Sequence, residues 1–117
     1  MTNRFPKIKA VIDHIKAHYE EPIKLTDFSM YFGYNPTYLS KLIKQYTGYP
    51  LNAYLNRIRL SAAKNLLCLT NIYTIQEIGS MCGFADEKYF MRLFKKIECV
   101  TPSQYRNMFN EKNINRN

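Results

Sequence analysis

Tryptophan is absent from this 117-residue chain, glycine occurs four times and cysteine three. The scattered glycines form no phosphate-cradling loop. Cys68, Cys82 and Cys99 are odd in number and lack metal-ligand spacing, which predicts buried, reduced thiols rather than a disulfide framework or a zinc site. His14 and His18 stand four apart, but Ile15 occupies the place where a zinc protease carries Glu, and no third ligand is evident. They are expected to face solvent without a metal. No apolar run is long enough to cross a bilayer, and Met1 to Ala10 carries no cleavable signal, so the chain is expected in the cytoplasm. No nucleophile–base pair can be picked out, which argues against an enzyme. The most informative absence is of acid. Between Phe28 and Gln76 there is neither Asp nor Glu, while Lys41, Lys44, Arg57, Arg59 and Lys64 all fall there. With a net charge of +8, this asymmetry points to a polyanionic partner.

The hydrophobic content of 46% supplies a core, and the length suits one helical domain. Leu51 to Leu69 reads as one long helix. Leu51, Tyr54, Leu55, Ile58, Ala62, Leu66 and Leu69 form its expected buried stripe, and Pro50 stands at its start. A similar unit lies on each side of it. Leu25 and Phe28 answer Ile75 and Ile78, Gly33-Tyr34 answers Gly83-Phe84, and Tyr38-Leu39 answers Tyr89-Phe90. Lys41 to Lys44 answers Arg92 to Lys95, and Tyr54 answers Tyr105, with one extra residue after the second glycine. Two copies indicate a duplicated supersecondary unit rather than a solenoid.

Each unit reads as helix, tight turn, helix. In the first, Thr26 is the expected cap of a helix to Phe32, Gly33 ends it, Asn35-Pro36 starts the next, and Gly48 closes that one. In the second, Thr74 and Glu77 have capping-box spacing, Gly83 turns, and Asp86 caps a helix to about Ile97. A first helix over roughly Pro6 to Tyr19 and a last one over Pro102 to Phe109 complete an all-α fold of about seven helices. Met1 to Lys7 is expected to be a loose lead-in and Asn110 to Asn117 a frayed tail. Two short helices about a glycine turn are the shape of a helix-turn-helix, whose second helix can enter a major groove.

The second helices repay reading by face. Leu39, Leu42, Ile43 and Tyr46 are expected inward in one, and Phe90, Leu93, Phe94 and Ile97 in the other. Thr37, Ser40, Lys41 and Lys44 share the opposite face, as do Lys88, Met91, Arg92 and Lys95 at the same four positions of the repeat. A solvated face has no reason to place a cation at the same third and fourth positions twice. Arg92 suits guanine O6 and N7, and Lys41 suits them less rigidly. Met91 suits a thymine methyl, and Lys44 and Lys95 suit phosphate. A helix of roughly 30 Å between two such heads matches the ~34 Å recurrence of one major-groove face, with some bending of the duplex.

These motifs resemble the DNA-binding domain of the AraC/XylS family of bacterial transcription regulators. The likeness runs from about Ile8 to Phe109. It is most specific in GFADEKYFMRLFKKIECVTPSQYR, Gly83 to Arg106, and extends to YLSKLIKQYTG, YLNRIRLSAAKNLL and the Ile75/Ile78 pair. The resemblance implies a single domain over 1–117. A first helix-turn-helix subdomain (8–49) and a second (74–109), each a homeodomain-like three-helix unit, would be joined by a linker helix (50–70). It implies sequence-specific binding of double-stranded promoter DNA, commonly as an activator that contacts RNA polymerase, in the cytoplasm and associated with the nucleoid. Base contacts carried over from the family fall on Thr37, Ser40 and Lys41, and on Glu87, Lys88, Met91 and Arg92. No cofactor is implied.

Two residues depart from the family pattern. Cys99 stands where glycine is usual, so that turn is expected to differ locally. Gly79 stands where alanine is usual and should weaken its helix by up to about 1 kcal/mol. Glu87 is acidic on a reading face and suits a cytosine amino group or the helix N-terminus. Most of the family carries a second domain that senses a ligand or dimerises. The chain is therefore either a stand-alone regulator controlled by its abundance or a fragment of a longer one. Two other classes compete: a basic module that binds RNA or DNA without regard to sequence, and a small thiol enzyme, which lacks a catalytic partner for its cysteine.

Overall fold

Among residues 5–115, all that the computed structural model describes, the chain forms seven helices and no strand. They are α1 (Phe5–Ala17), α2 (Leu25–Phe32), α3 (Pro36–Thr47), α4 (Leu51–Leu69), α5 (Ile75–Met81), α6 (Glu87–Glu98) and α7 (Pro102–Asn115). No helix among the described residues is long and apolar enough to cross a membrane.

Local chemistry explains most boundaries. The Asn35 side chain accepts hydrogen bonds from the backbone N–H groups of Thr37 (2.9 Å) and Tyr38 (3.3 Å). Asp86 does the same for Lys88 (2.9 Å) and Tyr89 (3.3 Å), so both second helices begin alike. Thr74 and Glu77 close a full capping box, with Glu77 accepting from the Thr74 N–H at 3.0 Å and Thr74 accepting from the Glu77 N–H at 3.1 Å. That backbone hydrogen bond, with a smaller share from the Thr74 side chain, holds the Glu77 carboxyl below its ordinary range. Thr101 and Gln104 form the same reciprocal pair at the start of α7 (2.9 and 3.1 Å).

Two boundaries differ from expectation. Thr26 is not a cap. α2 starts two residues earlier than that cap implies, at Leu25, which packs against the core, and Lys24 holds the cap position without a side-chain hydrogen bond. The tail does not fray at Asn110, because α7 runs on to Asn115. It is tied back by Arg106, which donates to the Thr70 carbonyl (3.2 Å), and by paired amide bonds between Asn71 and Asn110 (3.4 and 3.3 Å). α1 begins at Phe5, inside the expected lead-in, whose first four residues lie outside those described.

The chain divides between Ile58 and Arg59 into two compact units. In the first, Ile8, Val11, Ile12 and Ile15 pack with Phe28, Leu39, Leu42 and Ile43. In the second, Ile78, Cys82 and Phe84 pack with Phe90 and Phe94. Each unit takes part of α4. Leu51 and Leu55 belong to the first core, and Leu60, Ala63 and Leu67 to the second. The single stripe read from the sequence is thus two. After Leu55 the next fully buried position comes five residues on, at Leu60, not three or four, because the helix completes a different core there. Leu69, expected inside, is 81% exposed. Tyr46 and Ile97, one register position in the two copies, are also exposed, in the last turns of α3 and α6, where the helices run past their cores.

Both departures from the family pattern have a structural explanation. Cys99 ends α6 in the left-handed conformation (φ 69°), and its N–H bonds the Lys95 carbonyl at 2.8 Å. Gly48 ends α3 in the same way, with φ 85° and a 2.8 Å bond to Lys44. The turn is therefore kept, not changed, and a Cβ is carried in a conformation that disfavours it by about 1–2 kcal/mol. Cys99→Gly should raise unfolding stability by roughly 0.5–1 kcal/mol, once the larger unfolded-state entropy of glycine is subtracted. Urea denaturation measures this, and a lowered midpoint would mean that the Cys99 side chain contributes more than its backbone strain removes. Gly79, in turn, is not simply a weak helix residue. A Cβ there would lie 2.7 Å from Cδ2 of Phe90, which is completely buried.

Candidate nucleic-acid interface

The expected reading residues fall into two groups, one on each unit. Along α3, Thr37, Lys41 and Lys44 are exposed and Ser40 is half-buried. Along α6, Glu87, Lys88, Met91, Arg92 and Lys95 are all exposed, Met91 least among the apolar surface residues of its helix. Among the described residues, none of these cations is paired with a carboxylate. Opposite faces of the same helices are anchored, through Leu39, Leu42 and Ile43 in α3 and Phe90 and Phe94 in α6. Each helix therefore presents one polar, cationic ridge on a rigid apolar base. Glu87 is the first residue of α6, where a carboxylate complements the helix dipole.

Neighbouring cations separate into spent and unspent groups. Lys64 is bound to Glu98 at 3.1 Å and leans over the Tyr105 ring. Arg57 stacks on Tyr49, 4.3 Å from the ring centroid. Arg59 is half-buried, and desolvation lowers its pKa. Of the five cations in the acid-free stretch, Lys41 and Lys44 remain fully available, and both belong to α3.

Ser40 lies beside a shallow groove that it lines with Lys24, Thr26 and Asn52, at the starts of α2 and α4. Nothing in the linear sequence joins these residues to Ser40, because they meet only on folding. Tyr38 and Tyr89 are a second addition. They occupy one register of the repeat at the first turns of α3 and α6 and are 42% and 41% exposed. Their equivalence is visible in the sequence, but their exposure is not.

Two of the three thiols are withdrawn from solvent to different degrees. Cys82 is buried, and desolvation pushes its pKa up to about 11. Half-buried Cys68 faces the Tyr105 hydroxyl at 3.8 Å. Burial first, and that thiol second, push Tyr105 up to about 12. Cys99 is exposed, contrary to the expectation that all three are buried. Its place at the C-terminal cap of α6 explains this.

Comparison with known proteins agrees with the geometry. A family profile described as a helix-turn-helix domain matches residues 28–108. The chain is 36% identical over 105 residues to the regulatory protein PocR of Salmonella typhimurium, covering 90% of this chain and 34% of PocR. It thus spans about a third of that relative's length. A transcriptional regulator of Chromobacterium violaceum, described as having an AraC-type DNA-binding domain, superposes with a TM-score of 0.78 at 30% identity, covering 90% of this chain and 93% of that one. The DNA-binding domain of AdpA, solved with a target DNA, has a TM-score of 0.85 over 91% of this chain and 95% of its own. At 18% identity it shows the shared fold.

Proposed function

Since this chain belongs to the AraC-type helix-turn-helix family, we propose that it binds double-stranded promoter DNA sequence-specifically, seating α3 and α6 in successive major grooves. The observation that carries this reading is the repeated ridge. Both helices project unpaired side chains from the same four positions, with a cation at the third and fourth. Arg92 reads guanine through two parallel hydrogen bonds, Met91 meets a thymine methyl, and Lys88 and Glu87 serve the leading end. On α3, Thr37, Ser40 and Lys41 read base edges. Lys44 and Lys95 hold phosphate, and Lys24 and Asn52 beside Ser40 suit the phosphate next to it. α4, 19 residues without proline or glycine, links the two units. Activation of transcription through RNA polymerase, and control by an attached effector or dimerisation domain, belong to the same proposal and rest on family membership.

Selection from a random duplex pool at physiological salt tests it. The expected result is two short enriched blocks about ten base pairs apart. Arg92→Ala should flatten the preference at one position of one block, at about 1–3 kcal/mol, without lowering thermal stability, since the side chain is exposed. An unchanged preference profile would remove Arg92 from the reading face. Retention on DNA at low salt with no enrichment would replace the whole reading with a non-specific basic module.

A further inference from the structure

Tyr38 and Tyr89 occupy one position of the two reading helices, and the contacts assigned above leave both unused. Each is the third residue of its helix. Its backbone N–H bonds the capping side chain at 3.3 Å, Asn35 for α3 and Asp86 for α6. Each ring then leans on the aromatic residue of the preceding turn in the same pose. Tyr38 tilts against Tyr34 with ring centroids 6.0 Å apart at 50°, and Tyr89 against Phe84 at 6.4 Å and 51°. The two tyrosines are 42% and 41% exposed, although the next residue in each helix, Leu39 or Phe90, is wholly buried.

Helical spacing puts each tyrosine on the flank of its ridge. Tyr38, Lys41 and Gln45 fall at i, i+3 and i+7, as do Tyr89, Arg92 and Lys96, and all six are exposed. A helix lying in a major groove turns its ridge to the base edges and its flanks to the sugar–phosphate walls. Ring packing alone does not call for a hydroxyl here. The inner partner is Tyr34 in one copy and Phe84 in the other, and the Tyr34 hydroxyl is buried with no hydrogen bond among the described residues. Phenylalanine serves that inner place as well, whereas both outer, exposed rings carry a hydroxyl.

We propose that Tyr38 and Tyr89 are positioning residues, each donating a hydrogen bond from its phenol to a backbone phosphate on the groove wall beside its helix. The assignment rests on the DNA reading given above. Each ring is already braced by Tyr34 or Phe84, so little side-chain freedom is lost when a phosphate accepts from its hydroxyl. One such bond at the leading end fixes the rotation of the helix about its axis, and with it the base edges that Lys41 or Arg92 meets a turn later. Lys44 and Lys95, on flexible stems, supply charge, and the tyrosines supply a fixed point.

Tyr38→Phe and Tyr89→Phe keep the ring packing and remove only the donor. On the duplex that selection enriches, each should weaken binding about tenfold, with the enriched sequence and the thermal midpoint unchanged. Because no charge is lost, the slope of log affinity against log salt should hold, whereas Lys44→Gln should make it shallower by about 0.9. A set of duplexes, each with one phosphate replaced by a neutral methylphosphonate, locates the contact. At one position in each block, wild type and the phenylalanine variant should bind equally well. Full affinity in either variant, a changed base preference, or a loss that no methylphosphonate cancels would overturn the proposal and leave the DNA reading standing. A wild-type chain that enriches no sequence would overturn both.

Discussion

Gly79→Ala should destabilise the protein by about 1–3 kcal/mol, although alanine is the better helix former by up to about 1 kcal/mol. The sign is decided by Phe90. An alanine Cβ would come within 2.7 Å of one ring carbon and 3.1 and 3.2 Å of two others. Phe90 cannot yield cheaply, being wholly buried between Phe84, with ring centroids at 4.9 Å, and Phe94, at 6.0 Å. In the first unit the register has Ser29 at the position of Gly79 and Leu39 at that of Phe90, a larger residue for the glycine and a smaller one for the phenylalanine. The two copies thus divide the same space differently. The double change Gly79→Ala with Phe90→Leu should therefore recover part of the loss, a coupling that a double-mutant cycle in urea measures. A stabilised single variant would show that the α5–α6 contact relaxes freely.

A larger effect is expected on DNA. Inserting about five base pairs between the two half-sites turns one of them to the opposite face of the duplex. Only one head can then engage, and the other loses several contacts of about 1–3 kcal/mol each. Affinity should fall by on the order of 100-fold or more, read by fluorescence anisotropy at fixed salt. Because the same cations still face phosphate, residual binding should keep a steep salt dependence. Affinity indifferent to the insertion would sink the two-headed reading while leaving a one-headed or non-specific one.

Signals confined to a few consecutive residues are legible in the sequence. The Asn35 and Asp86 caps, the Thr74–Glu77 box and the stops at Gly33 and Gly48 all depend on neighbours along the chain, and the helices follow them. What fails depends on contacts between distant residues. The split of the α4 stripe requires knowing that two cores form, the exposure of Leu69 that the second ends before it, and the length of α7 that Asn110 meets Asn71. Gly79 reads as a defect until Phe90 is placed against it. In the candidate interface the repeat register picks out the residues, because duplication prints the same face twice. Which cations are spent is not legible. Lys64 meets Glu98, and Arg57 meets Tyr49, only through the fold.

The division of α4 between the cores bears on how the chain folds. Starting a helix is its unfavourable step, with a nucleation constant on the order of 10⁻³, whereas extending one is nearly neutral. Leu51 and Leu55 give the first core an interest in this helix, and Leu60, Ala63 and Leu67 give the second the same. Whichever core condenses first supplies the nucleus, and its neighbour inherits a helical turn to propagate from. The cost of nucleating α4 is then met once for the two units.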